Sequence, residues 1–242
     1  MPARTDLLVS YIARERAFRG IGRIRAAALG EHFGTDLRQA ILSLDEGVIH
    51  IVGEVPAIMA AAVMNIRETE AVFLEWLDDL NVNIPEAKAI RLARAWGAEG
   101  MRSIQQNAYL LLAIADWKVV DAIALATGMK DGDMRRDVAA LEAVLTSKAC
   151  LGQGSTRLPI RKAEIHAERL LKRPVSPNAV DAAVKSKAAV RAFDKMQPPG
   201  TAYMEAECAL LLAKLASAAP VTGITPPDRL TRIIHEGLVR VA

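Results

Sequence analysis

The sequence predicts a mainly α protein made of short helices joined by very short turns. Three observations predict it. Hydrophobic residues make up 52% of the 242 residues but aromatic residues only 4%, and Ala and Leu, the best helix formers, are prominent among them. Apolar residues recur three and four apart, in runs of roughly eight to fifteen residues. Between the runs stand glycines, prolines and Asp, Ser or Thr, the residues that stop and cap helices.

Taken in order, Thr5 or Asp6 caps a helix over residues 5–18, with Leu7, Leu8, Tyr11 and Ile12 on its buried face. Arg19-Gly20-Ile21-Gly22 breaks it, and a helix over 23–32 buries Ile24, Ala27 and Leu29. Phe33-Gly34-Thr35-Asp36 is a stop followed by a new cap, and the next helix covers 37–44. A further break precedes Ile51-Val52-Gly53-Glu54-Val55-Pro56. Helices then cover 57–66, 68–80, 85–96, 98–106, 107–115 and 118–127, with a longer one over 134–149. The segments beginning near Arg19, Ile51, Leu80 and Ala113 resemble one another loosely, as diverged repeats do. Each is too small to be stable alone.

The texture changes after Cys150. Gly152-Gln153-Gly154-Ser155-Thr156 reads as a link, and a helix over 161–172 follows. Ser176 caps another that has Pro177 at its first position and ends near Lys187. Residues 188–193 read as a short strand, 202–217 as a strongly apolar helix, 219–227 as a linker and 229–239 as a last short helix. The helix-helix-strand order is that of a small winged-helix-like unit. The predicted domains are therefore a tandem helix-hairpin-helix domain (1–133), a winged-helix-like domain (134–196) and C-terminal helices with a linker (197–242).

The net charge is only +3, but its distribution is uneven. Residues 153–195 hold ten Lys or Arg against four Asp or Glu, and residues 1–38 hold seven against four. Between them lie Glu68, Glu70, Glu75, Asp78 and Asp79. Two basic ends around an acidic middle fit contact with a polyanion at two places, and solvated helix faces produce the same pattern. No apolar run is long enough to span a membrane, and the start lacks the pattern of a signal peptide. Cys150 and Cys208 lack CxxC spacing, so neither a zinc site nor a disulfide framework is predicted. His32, His50, His166 and His235 show no ligand spacing. Asp78-Asp79 and Asp131 with Asp133 are read as caps or solvated faces. No cofactor, metal or membrane partner is expected, and cytoplasm is the default location.

Arg19-Gly20-Ile21-Gly22-Arg23, between two amphipathic helices, carries the functional reading. Gly20 supplies a turn that a side chain resists. Gly22 lets the amides at the start of the next helix come close to a ligand, and Ile21 inserts back between the helices. Free N–H groups at the positive end of a helix dipole make a seat for phosphate. Arg19, Arg23 and Arg25 add attraction and direct contacts, and Arg14 and Arg16 widen the patch. Such contacts position a nucleic acid without reading its sequence. Hairpins of this kind also serve as protein contacts. Gly53-Glu54-Val55 replaces the second glycine and adds an acid, and Asp116-Trp117-Lys118 has neither glycine. Both are read as structural, with Trp117 in the core. Farther along, Arg161, Lys162, Arg169, Lys172 and Arg173 recur at helical spacing, as on a basic recognition helix. Lys185, Lys187 and Arg191 follow them.

Leu8-Val9-Ser10-Tyr11-Ile12, then Gly20-Ile21-Gly22, then Glu31-His32-Phe33-Gly34-Thr35-Asp36 resemble the amino-terminal region of RecD-like helicases of the stand-alone, RecBC-independent kind. The resemblance continues through residues 93–100, Asn107-Ala108-Tyr109-Leu110, Val120-Asp121-Ala122-Ile123-Ala124 with Gly128-Met129, and residues 200–207. In that family these domains precede a motor that couples ATP hydrolysis to 5′-to-3′ movement on single-stranded DNA. Here no GxxxxGK[ST] phosphate loop occurs, and Gly152-Gln153-Gly154-Ser155-Thr156 lacks the required lysine. The resemblance thus implies a front end without its motor, not an enzyme. It implies DNA, single- or double-stranded, as partner, together with a separate helicase motor protein. Two alternatives stay open: an adaptor that docks a DNA-processing protein, and a sequence-specific winged-helix regulator.

Overall fold

The computed structural model describes residues 7–147, 150 and 154–217. The Thr5 or Asp6 cap, most of the 152–156 link, the 219–227 linker and the 229–239 helix lie wholly or partly outside them. Residues 1–199 form one compact unit and 200–242 another.

The first hairpin pairs α1 (Leu7–Arg14) with α2 (Arg23–Phe33). α1 buries the four predicted residues, Leu7, Leu8, Tyr11 and Ile12. The two helices approach closely at Gly30, where a Cβ would lie 2.5 Å from Val9 Cγ2. α2 turns a different face inward than the sequence predicts: Ala26 and Leu29 are buried, while Ala27 is exposed and Ile24 is 87% exposed.

A 3-10 turn (Gly34–Asp36) leads straight into α3 (Leu37–Leu42). Asp36 makes no side-chain cap there, contrary to expectation. The turn itself supplies the first bond, from Leu37 N–H to the Gly34 carbonyl. The sequence reading also missed α4 (Glu46–Val52), a seven-residue helix that starts with Gly47 N–H donating to the Asp45 carboxylate at 2.8 Å. The predicted break therefore narrows to Gly53, where φ is +90° and the chain bends 117° into α5 (Glu54–Ile66).

α6 (Glu68–Asp79) and α7 (Glu86–Gln106) form the third hairpin. α7 is kinked at Gly97 (φ +53°), between the two helices predicted there. Residues 108–113 adopt a 3-10 turn instead of an α-helix, opened by Tyr109 N–H donating to Asn107 Oδ1. α8 (Trp117–Ala126) completes the fourth hairpin, and α9 (Met134–Thr146) begins at an Asp133 cap.

β1 (Leu158–Pro159), α10 (Ile160–Leu171), α11 (Ala179–Lys185), β2 (Val190–Ala192) and β3 (Lys195–Gln197) follow. The strands form an antiparallel sheet in the order β1-β3-β2. α9 precedes this small helix-and-sheet unit in the chain. Of the strand predicted over 188–193, Val190–Ala192 form β2, with Ala188 and Ala189 before it, Phe193 in the turn and β3 as its hairpin partner. α11 starts two residues later than Pro177. Ser176 spends its N–H on Asp137 and its carbonyl on Ala179 N–H, so it anchors the segment without capping α11.

Two hydrophobic cores run through this unit, one from Leu7 to Ala139 and the other from Ala140 to Met196. The division falls inside α9, whose first half serves the hairpins and whose second half serves the sheet unit; Trp117 packs against both. α12 (Pro199–Ser217) opens the last segment, with Tyr203, Met204, Leu210, Leu211, Leu212 and Leu215 exposed.

The fully buried Asp137 ties α9 to the turn before α11. It accepts from Arg173 Nη2 at 2.5 Å and from Ser176 N–H at 3.0 Å. Burial alone pushes its carboxyl upward, but these donors outweigh burial and hold it below the ordinary carboxylate range. A carboxylate whose folded pKa is depressed contributes stability above its unfolded pKa, about 4, and loses that contribution as pH falls through the folded value. Asp137→Asn is expected to cost about 3 kcal/mol at pH 7 by stranding Arg173. It is also expected to flatten the fall of Tm between pH 5 and pH 2. Equal slopes for the two proteins would show that Asp137 is not a source of acid sensitivity.

Candidate nucleic-acid interface

The Gly20–Gly22 elbow is held from inside and open outside. Ile21 is buried, and its N–H donates to the Phe18 carbonyl at 3.2 Å. Gly20 sits at φ +83°, where a Cβ would be strained and would lie 3.0 Å from Pro56 Cγ of α5. Gly22 has an extended backbone (φ −87°, ψ −176°), provides no side-chain cap, and has no neighbouring atom within 4 Å of where a Cβ would stand. The first bond of α2 is Ala26 N–H to the Gly22 carbonyl at 2.9 Å. The amides of Arg23, Ile24 and Arg25 precede it and have no intrahelical acceptor. An anion can reach them past Gly22.

The predicted arginines divide into two groups. Arg19 and Arg23 are exposed and make no ion pair with a described residue, and the same holds for Arg16. Arg25 is exposed too, but its Nη1 donates to the Gly20 carbonyl at 2.8 Å, so it braces the elbow. Arg14 pairs with Glu86 at 2.7 Å and joins the first hairpin to the third.

The other three elbows differ in charge and capping. At the second, α5 opens with Glu54, and Pro56 lacks an amide to offer. At the third, Asn81 takes the positive-φ position (+53°) in place of a glycine, and α7 opens with Glu86. At the fourth, Val119 N–H donates to the Asp116 carboxylate at 3.3 Å. Asp116 is held below the usual carboxylate range chiefly by hydrogen bonding from Lys88. The second and third elbows thus carry an acid in the first helical turn, and at the fourth an acid of the chain itself holds a helix-start amide. Trp117 is half-buried and stacked on Tyr109, with ring centroids 5.7 Å apart, as a core residue would be.

In the sheet unit, Arg161, Lys162, Arg169 and Lys172 of the predicted basic helix are exposed. Arg161 lies 3.5 Å from Glu164. Arg169 lines a groove of about 730 Å³ with Leu112, Asp116, Trp117 and His166. Lys172 ends α10 in a left-handed conformation (φ +59°). Arg173 leaves the basic face: its guanidinium is spent on Asp137 and on the Asp131 carbonyl. The predicted basic residues Arg161, Lys162 and Arg169 lie on α10, the helix that precedes α11 in this unit. The sequence reading missed the β2–β3 turn, where Phe193 is exposed beside Arg191 and Lys195. An aromatic residue between charged neighbours at a strand end was the available signal.

Taken together, these elements form a mainly α array of helical hairpins followed by a small unit of helices and a three-stranded sheet. Residues 67–156 match a family model described as the ATP-dependent RecD2 DNA helicase HHH domain. That segment holds the third and fourth hairpins and α9, while the open first elbow precedes it. No curated protein and no solved structure matches the chain.

Proposed function

We propose that the chain is a non-catalytic DNA-binding module that grips the sugar-phosphate backbone without marked sequence preference and works beside a helicase motor. The observation that carries this reading is the first elbow: amides without a side-chain cap behind an open Gly22, flanked by exposed Arg19 and Arg23, which make no ion pair with a described residue. The match of residues 67–156 to a DNA helicase domain supports the same partner class. The lack of a GxxxxGK[ST] loop in the sequence supports a role without ATP hydrolysis.

Binding to random-sequence single-stranded and duplex DNA, titrated with salt, tests the proposal. Affinity is expected to fall linearly on a log–log plot, with a slope of about −2 to −4 for a few phosphate contacts. Unrelated sequences should give the same curve. The adaptor reading keeps support from one observation: Ile24 beside the elbow and Val55 and Ile58 of the second hairpin are all exposed. Absence of DNA binding at low salt would decide for it.

A further inference from the structure

We propose that the β2–β3 turn is a base-contacting wedge, in which Phe193 stacks on a nucleobase at a duplex end or fork. Arg161, Lys162, Arg191 and Lys195 would hold the adjoining phosphates. The inference rests on the DNA-binding reading and assigns the sheet unit a role that the first elbow does not supply.

Phe193 is 94% exposed, the most exposed large apolar side chain among the described residues. It occupies the first position of a two-residue hairpin loop, between Ala192 and its pairing partner Lys195. Its φ is +56°, a conformation that glycine adopts freely and a bulky residue does not. The chain thus keeps a ring in solvent on a backbone that disfavours it, and the ring makes no compensating contact within the described residues. Strain of this kind is a reason to look for an external partner.

The turn is also tied at both of its residues. Arg191 Nε donates to the Phe193 carbonyl at 3.2 Å, and Ile160 N–H donates to the Asp194 carbonyl at 2.8 Å. The second bond places the first turn of α10 against the wing tip. Arg161 and Lys162 directly follow Ile160, at the positive end of a helix dipole, where cations weaken a helix and attract anions. The nearby acids are Asp194 in the turn, Glu164, 3.5 Å from Arg161, and Asp181, 3.6 Å from Arg191. Lys195, Lys187 and Lys162 remain exposed beyond these pairings.

A flat ring amid cations selects a flat ligand joined to anions. A nucleobase meets both demands, since every base has a face for stacking and phosphates on either side. Apolar wedges inserted at base steps work in this way.

The test uses the full chain and a forked DNA with 2-aminopurine at the first paired position and a fluorescein on the far duplex end. Anisotropy reads affinity, and 2-aminopurine emission reads the stacking of that base. Wild type is expected to change the 2-aminopurine signal on binding. Phe193→Ala should abolish that change and weaken fork binding about tenfold, while blunt-duplex binding moves less than threefold. Phe193→Trp should restore both fork readouts. Because the ring is exposed, the Tm of the variants should match wild type. If Phe193→Ala binds the fork and shifts the signal as wild type does, the wedge is overturned while backbone binding stands; Phe193 would then suit a protein pocket. If wild type binds no DNA, both proposals fall together.

Discussion

Replacing Arg136 by leucine is expected to destabilise residues 1–199 by about 3–5 kcal/mol. Its Nε and Nη2 donate to the two Asp121 oxygens at 2.8 and 2.9 Å, with both side chains nearly buried. Tyr109 OH donates to the same carboxylate at 2.9 Å. Burial, Asp121 and its hydrogen bond push the Tyr109 hydroxyl well above its ordinary pKa, and the Asp121 hydrogen bond raises Arg136. Removing the guanidinium leaves Asp121 as an unpaired charge in the core, which is the costly case. The triple change Arg136→Met, Asp121→Leu, Tyr109→Phe removes the buried charges and the tyrosine hydroxyl together, leaves only the solvent-exposed Asp131 without its Arg136 contact, and should recover most of the loss. Urea denaturation of the three proteins gives the comparison. A single variant within about 1 kcal/mol of wild type would mean that water reaches Asp121 and that the pair is not a buried one.

That pair also explains a limit of sequence reading. Asp121 and Arg136 lie 15 residues apart in different helices, with no periodic or motif signal joining them. Asp131 is the solvated acid expected, yet it also contacts both Arg136 and Arg173, and Asp133 is the cap expected. Local devices were legible because they are local: the α1 face, the Gly20-Ile21-Gly22 elbow and the break at Gly97 each follow from neighbouring residues. The phase of α2 was not. Once Gly22 sets where the helix starts, Ala26 and Leu29 face inward. Ile24, two residues before Ala26, then lies about 200° round the helix in solvent. Its apolar character alone could not fix that phase. The functional division of the basic residues was hidden for the same reason. Arg19 and Arg173 look alike in sequence, and only tertiary packing gives one to solvent and the other to Asp137. Likewise, helix order alone could not show that β3 returns between β1 and β2.

The variant Gly22→Val, Arg19→Glu, Arg23→Glu should bind duplex DNA at least about 100-fold more weakly than wild type at low salt, with the salt slope smaller in magnitude by about 2. The substitutions spare the fold for separate reasons. Gly22 already has an extended backbone that any residue adopts, and open space surrounds its Cβ position. Arg19 and Arg23 are exposed and make no ion pair with a described residue. Arg25 is left in place because it braces the Gly20 carbonyl, and its loss would confuse a binding defect with a loosened elbow. The valine branch would block close approach to the α2 amides, and the two glutamates would repel the phosphates that the arginines attract. Lys118→Glu, on the exposed side of the fourth hairpin, is the matched control. The amide of Val119 there already has the Asp116 carboxylate, so affinity should change less than about threefold. If the triple variant and the control bind DNA alike, an uncapped helix start is not what holds the backbone. The exposed Ile24 and its neighbours on the second hairpin would then be the better guide to what this face meets.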